Sequence, residues 1–128
     1  MRLLLDTHAL LWWWLDDARL CAVARERIAD EQNEVLVSAA SAWEIGLKVS
    51  LGKLPEAEQA ITRYHELIAA DGFVHLPIAH VHALKAAQFA MEHRDPFDRM
   101  LAAQALCESA ALVTSDEALR PFPITRLW

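Results

Sequence analysis

The stretch Arg2-Leu3-Leu4-Leu5-Asp6-Thr7-His8-Ala9-Leu10-Leu11-Trp12 passes from an apolar run straight into a helical pattern, with one acidic residue at the junction. A short apolar run that continues at helical spacing without an intervening turn predicts a buried strand followed at once by a helix. Asp6 then sits at the strand's carboxyl end. The same pattern returns at Glu34-Val35-Leu36-Val37, which leads into Ser38, a good helix N-cap, after which Ala42, Ile45, Gly46 and Val49 recur at helical spacing.

Working outward, Pro55 opens a helical stretch whose apolar stripe is Ile61, Tyr64, Leu67 and Ile68, and Asp71-Gly72 stops it. Residues 73–76 read as a strand. A helix with Val81, Leu84 and Ala87 follows Pro77, and Asp95-Pro96 opens another through Phe97, Leu101 and Ala105. Residues 111–114 and 124–127 read as the last strands. This alternation predicts an α/β fold, a mostly parallel sheet with helices on both faces. No internal repeat, low-complexity segment or linker interrupts it, and 128 residues suit a single domain spanning residues 1–128. In such sheets ligands bind beyond the carboxyl ends of the strands, where strand order reverses.

Composition narrows the class of function. With 55% hydrophobic residues, 23% charged residues and 3 glycines, the chain reads as a folded, helix-rich globule. The apolar stretch at residues 3–15 is broken by Asp6 and His8 and is too short to span a bilayer, which predicts a soluble, cytoplasmic protein without a membrane partner. Cys21 and Cys107 lie far apart with no CxxC spacing, so they read as reduced, buried thiols. A net charge of −6 argues against a module that holds nucleic acid by basicity alone. It is compatible with an acidic site that recruits phosphate through divalent cations.

Four acidic residues are the candidates for chemistry, and each also has an ordinary structural reading. Asp6 fits the N-cap of the helix starting at Thr7, and Glu44 fits an i, i+4 ion pair with Lys48. Asp95 fits the cap of the helix opened by Pro96, with Asp98 in its first turn, while Asp116 fits the cap of a short following helix. Those readings leave the joint pattern unexplained. Asp6 and Asp116 follow apolar strands, Glu44 and Asp98 lie in early helical turns, and all four can converge on one edge. Clustered carboxylates repel unless protons or cations intervene, and hard cations such as Mg²⁺ take oxygen ligands of this type. Two such ions about 4 Å apart activate water and stabilise the leaving oxygen in phosphodiester cleavage.

Four segments carry a family resemblance: Leu4-Leu5-Asp6-Thr7-His8-Ala9-Leu10-Leu11-Trp12, Ser41-Ala42-Trp43-Glu44-Ile45, His93-Arg94-Asp95-Pro96-Phe97-Asp98-Arg99 and Leu112-Val113-Thr114-Ser115-Asp116. In this order, across nearly the whole chain, they resemble the PIN-domain nucleases and, among these, the VapC-like toxins of toxin–antitoxin pairs. The resemblance implies a three-layer α/β/α sandwich and an endoribonuclease dependent on Mg²⁺ or Mn²⁺. It also implies inhibition by a partner antitoxin of the VapB type, and a homodimer. By position, Asp6, Glu44, Asp98 and Asp116 match the family's acidic metal-site residues, and Asp95 is read as a helix cap outside the site. Thr7, Ser115 and Arg99 adjoin these positions and are expected to support the carboxylates or face a phosphate.

Trp12, Trp13 and Trp14 lie on one predicted helix at about 100° intervals, so they are not expected to face a single core, and an exposed pair is expected to mark a contact surface. His80 and His82 are two apart and no HExxH pattern exists, so the histidines read as surface or core residues; His8 stands near Asp6. Lys48, Lys53, Arg94 and Arg99 flank the acidic segments, where they suit a solvated face or guide an RNA backbone. Two other functional classes are open. One is a catalytically inactive PIN-like interaction module. The other is an aspartyl-phosphate phosphotransferase or receiver domain, disfavoured because His8 stands where a DxD pair requires a second acid.

Overall fold

A computed structural model describes residues 1–90 and 92–128. Its strands are β1 (Arg2–Leu5), β2 (Glu34–Ser38), β3 (Val74–Leu76), β4 (Ala111–Val113) and β5 (Arg126–Leu127). Its α-helices are α1 (Thr7–Trp14), α2 (Ala22–Ala29), α3 (Ala39–Ser50), α4 (Glu58–Thr62), α5 (Tyr64–Ala70), α6 (His80–Gln88) and α7 (Pro96–Cys107). Single 3₁₀ turns occupy Pro55–Ala57 and Glu117–Leu119.

The strands form one sheet in the order β3-β2-β1-β4-β5, and every pairing is parallel. The apolar run that opened the sequence is the middle strand, which is why Leu3, Leu4 and Leu5 are all fully buried. Alternation then divides the core. Leu3 and Leu5 join Val35, Val37 and Val113 under Leu10, Ile45 and Ile68 on one face. Leu4, Leu36 and Leu112 meet Leu101, Ala102 and Ala105 of α7, with Phe122, on the other. The result is the expected α/β/α sandwich.

Three local expectations change. Helix α2 was not anticipated, because its only buried residues are Ala24 and Ile28, too narrow a stripe to stand out from the surrounding charges. The stretch after Pro55 is not one helix but a 3₁₀ turn followed by α4 and α5, which break at Arg63. Its predicted stop is real: Gly72 takes φ +69°, and the N–H groups of Gly72 and Phe73 donate back to the carbonyls of Ala69 and Ile68. The thiols also differ from the expectation of burial. Cys107 is exposed at the end of α7, and half-buried Cys21 caps α2 by accepting the Ala24 N–H at 3.4 Å.

The three tryptophans depart from the expectation that they could not share a core, because all three pack around the edge of the same apolar cluster. The indoles of Trp13 and Trp14 both donate to Asp71 Oδ2, at 3.2 and 3.0 Å, while Trp14 meets Tyr64 edge-on and Trp12 meets Trp128. None belongs to the strongly exposed apolar residues. Among the described residues, no helix is long and apolar enough to cross a membrane.

A buried polar link joins the two helical layers at the carboxyl end of β2. Ser38 Oγ accepts the Ala40 N–H at 2.9 Å as the cap of α3 and donates to Gln104 Oε1 of α7. Both side chains are fully buried, and the Gln104 amide also donates to the Pro77 carbonyl at 3.3 Å. Replacing Ser38 by Ala removes a cap and strands a buried acceptor. Ser38→Ala is therefore expected to cost about 2–3 kcal/mol in urea unfolding, with the midpoint shifted and the m-value unchanged.

Candidate active site

Strands β1, β2 and β3 step outward in one direction, after which β4 returns to the opposite side of β1. The carboxyl ends of β1 and β4 therefore flank the point where strand order reverses, the crevice in which parallel sheets bind ligands. Asp6 leaves β1 and Asp116 follows β4 at that crevice.

Asp6 continues the sheet for one more bond, its N–H donating to the Val113 carbonyl at 3.1 Å. Its side chain then turns back to cap α1, Oδ1 accepting the Ala9 N–H at 2.7 Å. The Thr114 hydroxyl bonds the same carboxylate while accepting the Asp116 N–H at 3.0 Å. These bonds favour the anion, as does His8 nearby, but burial outweighs them and holds the carboxyl above its ordinary range. The charge of Asp116 pushes the same way.

Asp98 enters from the other helical layer. Asp95 caps α7, its Oδ1 accepting the N–H groups of Phe97 and Asp98 at 2.9 and 3.3 Å, so the cap role read from sequence is the one it performs. One turn in, Asp98 Oδ2 lies 3.0 Å from His93 Nε2. Burial pushes the Asp98 carboxyl up to about 6 despite His93, and the charges of Asp95 and Asp116 add to that rise.

Asp116 thus acts electrostatically on both Asp6 and Asp98. Glu44 lies apart from that coupling. It is buried on α3, and its Oε2 pairs with Lys48 Nζ at 2.8 Å, so the ion-pair reading of this residue describes its present contact. Among the described residues, no three acidic, histidine or cysteine side chains stand close enough together to hold one ion. The donor chemistry nonetheless fits Mg²⁺, which keeps several waters and needs only one or two protein carboxylates beside the phosphate oxygens of its substrate.

The supporting residues are partly other than those the sequence suggested. Thr7 is buried and donates to Ser41 Oγ at 3.1 Å, tying α1 to α3. Ser115 is exposed, and its neighbour Thr114 is the residue that touches Asp6. Arg99 does not present its guanidinium as a phosphate-facing group. It donates to the carbonyls of Ala86, Phe89 and His93 at 2.8–3.1 Å, bracing the segment that carries His93. His93 itself was missed as a site residue, although its place five residues before Asp98 was visible. His8 is exposed and stacks on Trp12 rather than packing in the core.

Because the folded protein holds the Asp98 proton up to about pH 6, the protonated form's advantage is fully present below the ordinary value of 3.8 and is lost as pH rises through 6. Above that window the ionised carboxylate weighs on the fold. Asp98→Asn is expected to raise Tm by about 4 °C at pH 8. The gain should disappear as the pH falls below that of an ordinary carboxyl, when thermal melts of both proteins are compared across pH.

A family model described as the PIN domain matches residues 3–123. Ribonuclease VapC16 of Mycobacterium tuberculosis is 38% identical over 58 residues, 45% of this chain and 41% of that protein, so the match spans less than half of the relative's length. VapBC2 from Rickettsia felis, solved bound to a DNA fragment from its promoter, superposes with a TM-score of 0.73 at 18% identity, covering 100% of this chain and 99% of that one. FitAcB from Neisseria gonorrhoeae superposes at 0.70 with 23% identity over 98% and 96% of the two chains. VapBC-1 from nontypeable Haemophilus influenzae does so at 0.70 with 19% identity over 99% and 97%. These structures share the fold, and the family match extends from the first residues of β1 past Phe122: the chain belongs to the PIN domain family.

Proposed function

We propose that this chain is a metal-dependent endoribonuclease and the toxin of a toxin–antitoxin pair. The observation that supports the reading is that Asp6 and Asp116 follow β1 and β4 at the reversal point of the parallel sheet, with the charge of Asp116 acting on both Asp6 and Asp98. Burial there makes both Asp6 and Asp98 costly to ionise. Folding builds in a like-charge repulsion that a divalent cation relieves. Asp6 and Asp98 would hold Mg²⁺ or Mn²⁺, with Asp116 completing the site or positioning water. Glu44 would join after its carboxylate is shared with Lys48. When bound, such an ion supplies positive charge to the scissile phosphate and acidifies an attacking water.

The chain's own groups supply the orientation. Ala9 N–H and the Thr114 hydroxyl fix Asp6, and His93 fixes Asp98, so neither carboxylate has to reorganise as substrate arrives. The Lys48 ammonium, already beside Glu44, would bring a cation to the site together with that carboxylate. RNA as the substrate is supported by the relative named a ribonuclease. An antitoxin of the VapB type is supported by solved neighbours that are VapBC assemblies. A homodimer acting in the cytoplasm completes the proposal.

Two measurements test it. The purified chain, free of partner, is expected to degrade RNA with Mg²⁺ or Mn²⁺ and to stop in EDTA, and Asp6→Asn and Asp98→Asn should each lower the rate by about 100-fold or more. Cleavage that survives EDTA and both substitutions together would refute the mechanism. Independently of activity, Mn²⁺ at about 100 times its Kd should stabilise the fold by about 2.7 kcal/mol in thermal melts. A protein that Mn²⁺ leaves unshifted, and that does not bind the ion by calorimetry, is the catalytically inactive interaction module instead.

A further inference from the structure

Trp43 is 60% exposed, although burying an indole is among the larger apolar gains open to any side chain. It precedes Glu44 on α3, and its ring meets Phe97, the residue before Asp98 on α7, with centroids 4.8 Å apart and planes at 70°. The contact therefore bridges the two helices that carry Glu44 and Asp98, with each ring one residue from a carboxylate. Phe97 supports the indole edge-on and leaves much of it open to solvent.

We propose that Trp43, propped by Phe97, is a stacking platform for an unpaired nucleobase of a single-stranded RNA lying across the acidic site. The proposal rests on the nuclease reading and adds how the substrate is held. The charge distribution favours stacking over backbone attraction as the way such a strand is held. With a net charge of −6, and with six of the twelve lysines and arginines, Arg2, Arg19, Arg25, Arg63, Arg120 and Lys48, in ion pairs, the chain as a whole does not attract a phosphate backbone. Base stacking needs no such attraction, since every base offers a π-face. A duplex hides those faces, so the platform selects unpaired strands.

A protein partner would use the apolar stripe further along α3, where Leu47 and Leu51 are 41% and 58% exposed at the i+4 and i+8 positions from Trp43. Stacking needs only the indole. The two occupants are thereby separable by substitution.

The test uses the full chain carrying Asp98→Asn to suppress cleavage, with fluorescein-labelled single-stranded oligoadenylate and oligouridylate as probes, followed by anisotropy. Adding Trp43→Ala is expected to weaken binding of both probes about 10-fold, Trp43→Phe should recover most of it, and Leu47→Ser with Leu51→Ser should change nothing. Binding should fall only shallowly with salt, unlike that of a protein held by many phosphate contacts. In the cleaving protein, Trp43→Ala should raise KM with little change in kcat. Unchanged affinity in Trp43→Ala overturns the proposal, and so does an equal loss in the Leu47 and Leu51 variant. If sedimentation shows Trp43→Ala altering the mass while RNA affinity holds, the face is a contact between copies of this chain. A parent protein that neither binds nor cleaves any RNA overturns the nuclease reading itself, and the platform with it.

Discussion

One carboxylate at the end of the most deeply buried strand sets the terms for the rest of the structure. Strand β1 is fully enclosed because β2 and β4 flank it and helices cover both of its faces. A strand in that position delivers its next residue into a dry crevice, and here the next residue is an acid. The fold does not leave Asp6 unsatisfied, since the first turn of α1 and the residue after β4 both bond it. Yet those bonds do not offset the loss of water, and the second acid of the crevice, Asp98, is caught in the same way. The crevice thus lowers the stability of the fold wherever both carboxyls are ionised, a cost of the kind common in functional sites.

The two helical layers meet at this crevice through different chemistry. Below it, Ser38 and Gln104 form a fully buried polar bond between α3 and α7. Beside it, Trp43 and Phe97 join the same helices through an exposed aromatic contact. A polar bond in a dry interior is specific in distance and direction, whereas a ring contact tolerates sliding. The two helices are thus held by a directional bond at one point and by a less directional ring contact at the other. Arg99 adds a third constraint by tying the carbonyls of Phe89 and His93 to that of Ala86 in α6, beside the His93 contact with Asp98.

Much of this was legible in the chain. The passage from Leu5 through Asp6 to Thr7 encodes strand, acid and helix without a loop, and Asp95-Pro96 marks the start of α7. Both signals are local, because a cap or an apolar run is read from neighbouring residues. The coupling of Asp116 to Asp6 and Asp98 depends on strand order, which no local pattern carries. Sequence spacing put Ser115 beside the acids, but strand geometry turned Thr114 inward instead. The Glu44–Lys48 pair was read correctly from its i, i+4 spacing, whereas the burial of Glu44 was not, and its membership in the site rests on the family resemblance. Helix α2 escaped notice because a helix that buries only Ala24 and Ile28 has almost no periodic signal.

The strand order also dictates when the crevice comes into being during synthesis. Asp6 is made long before the strand that completes its surroundings, since β4 pairs with β1 only after β2, β3 and all seven of the described α-helices have been made. Pairings over such long sequence separations form slowly, and a domain emerging from the ribosome acquires its late elements last. Until β4 pairs with β1, Asp6 therefore lacks the Val113 carbonyl and the Thr114 hydroxyl that hold it in the finished crevice. The charge repulsion of the finished crevice arises in the last stage, when Asp116 takes its place beside β1.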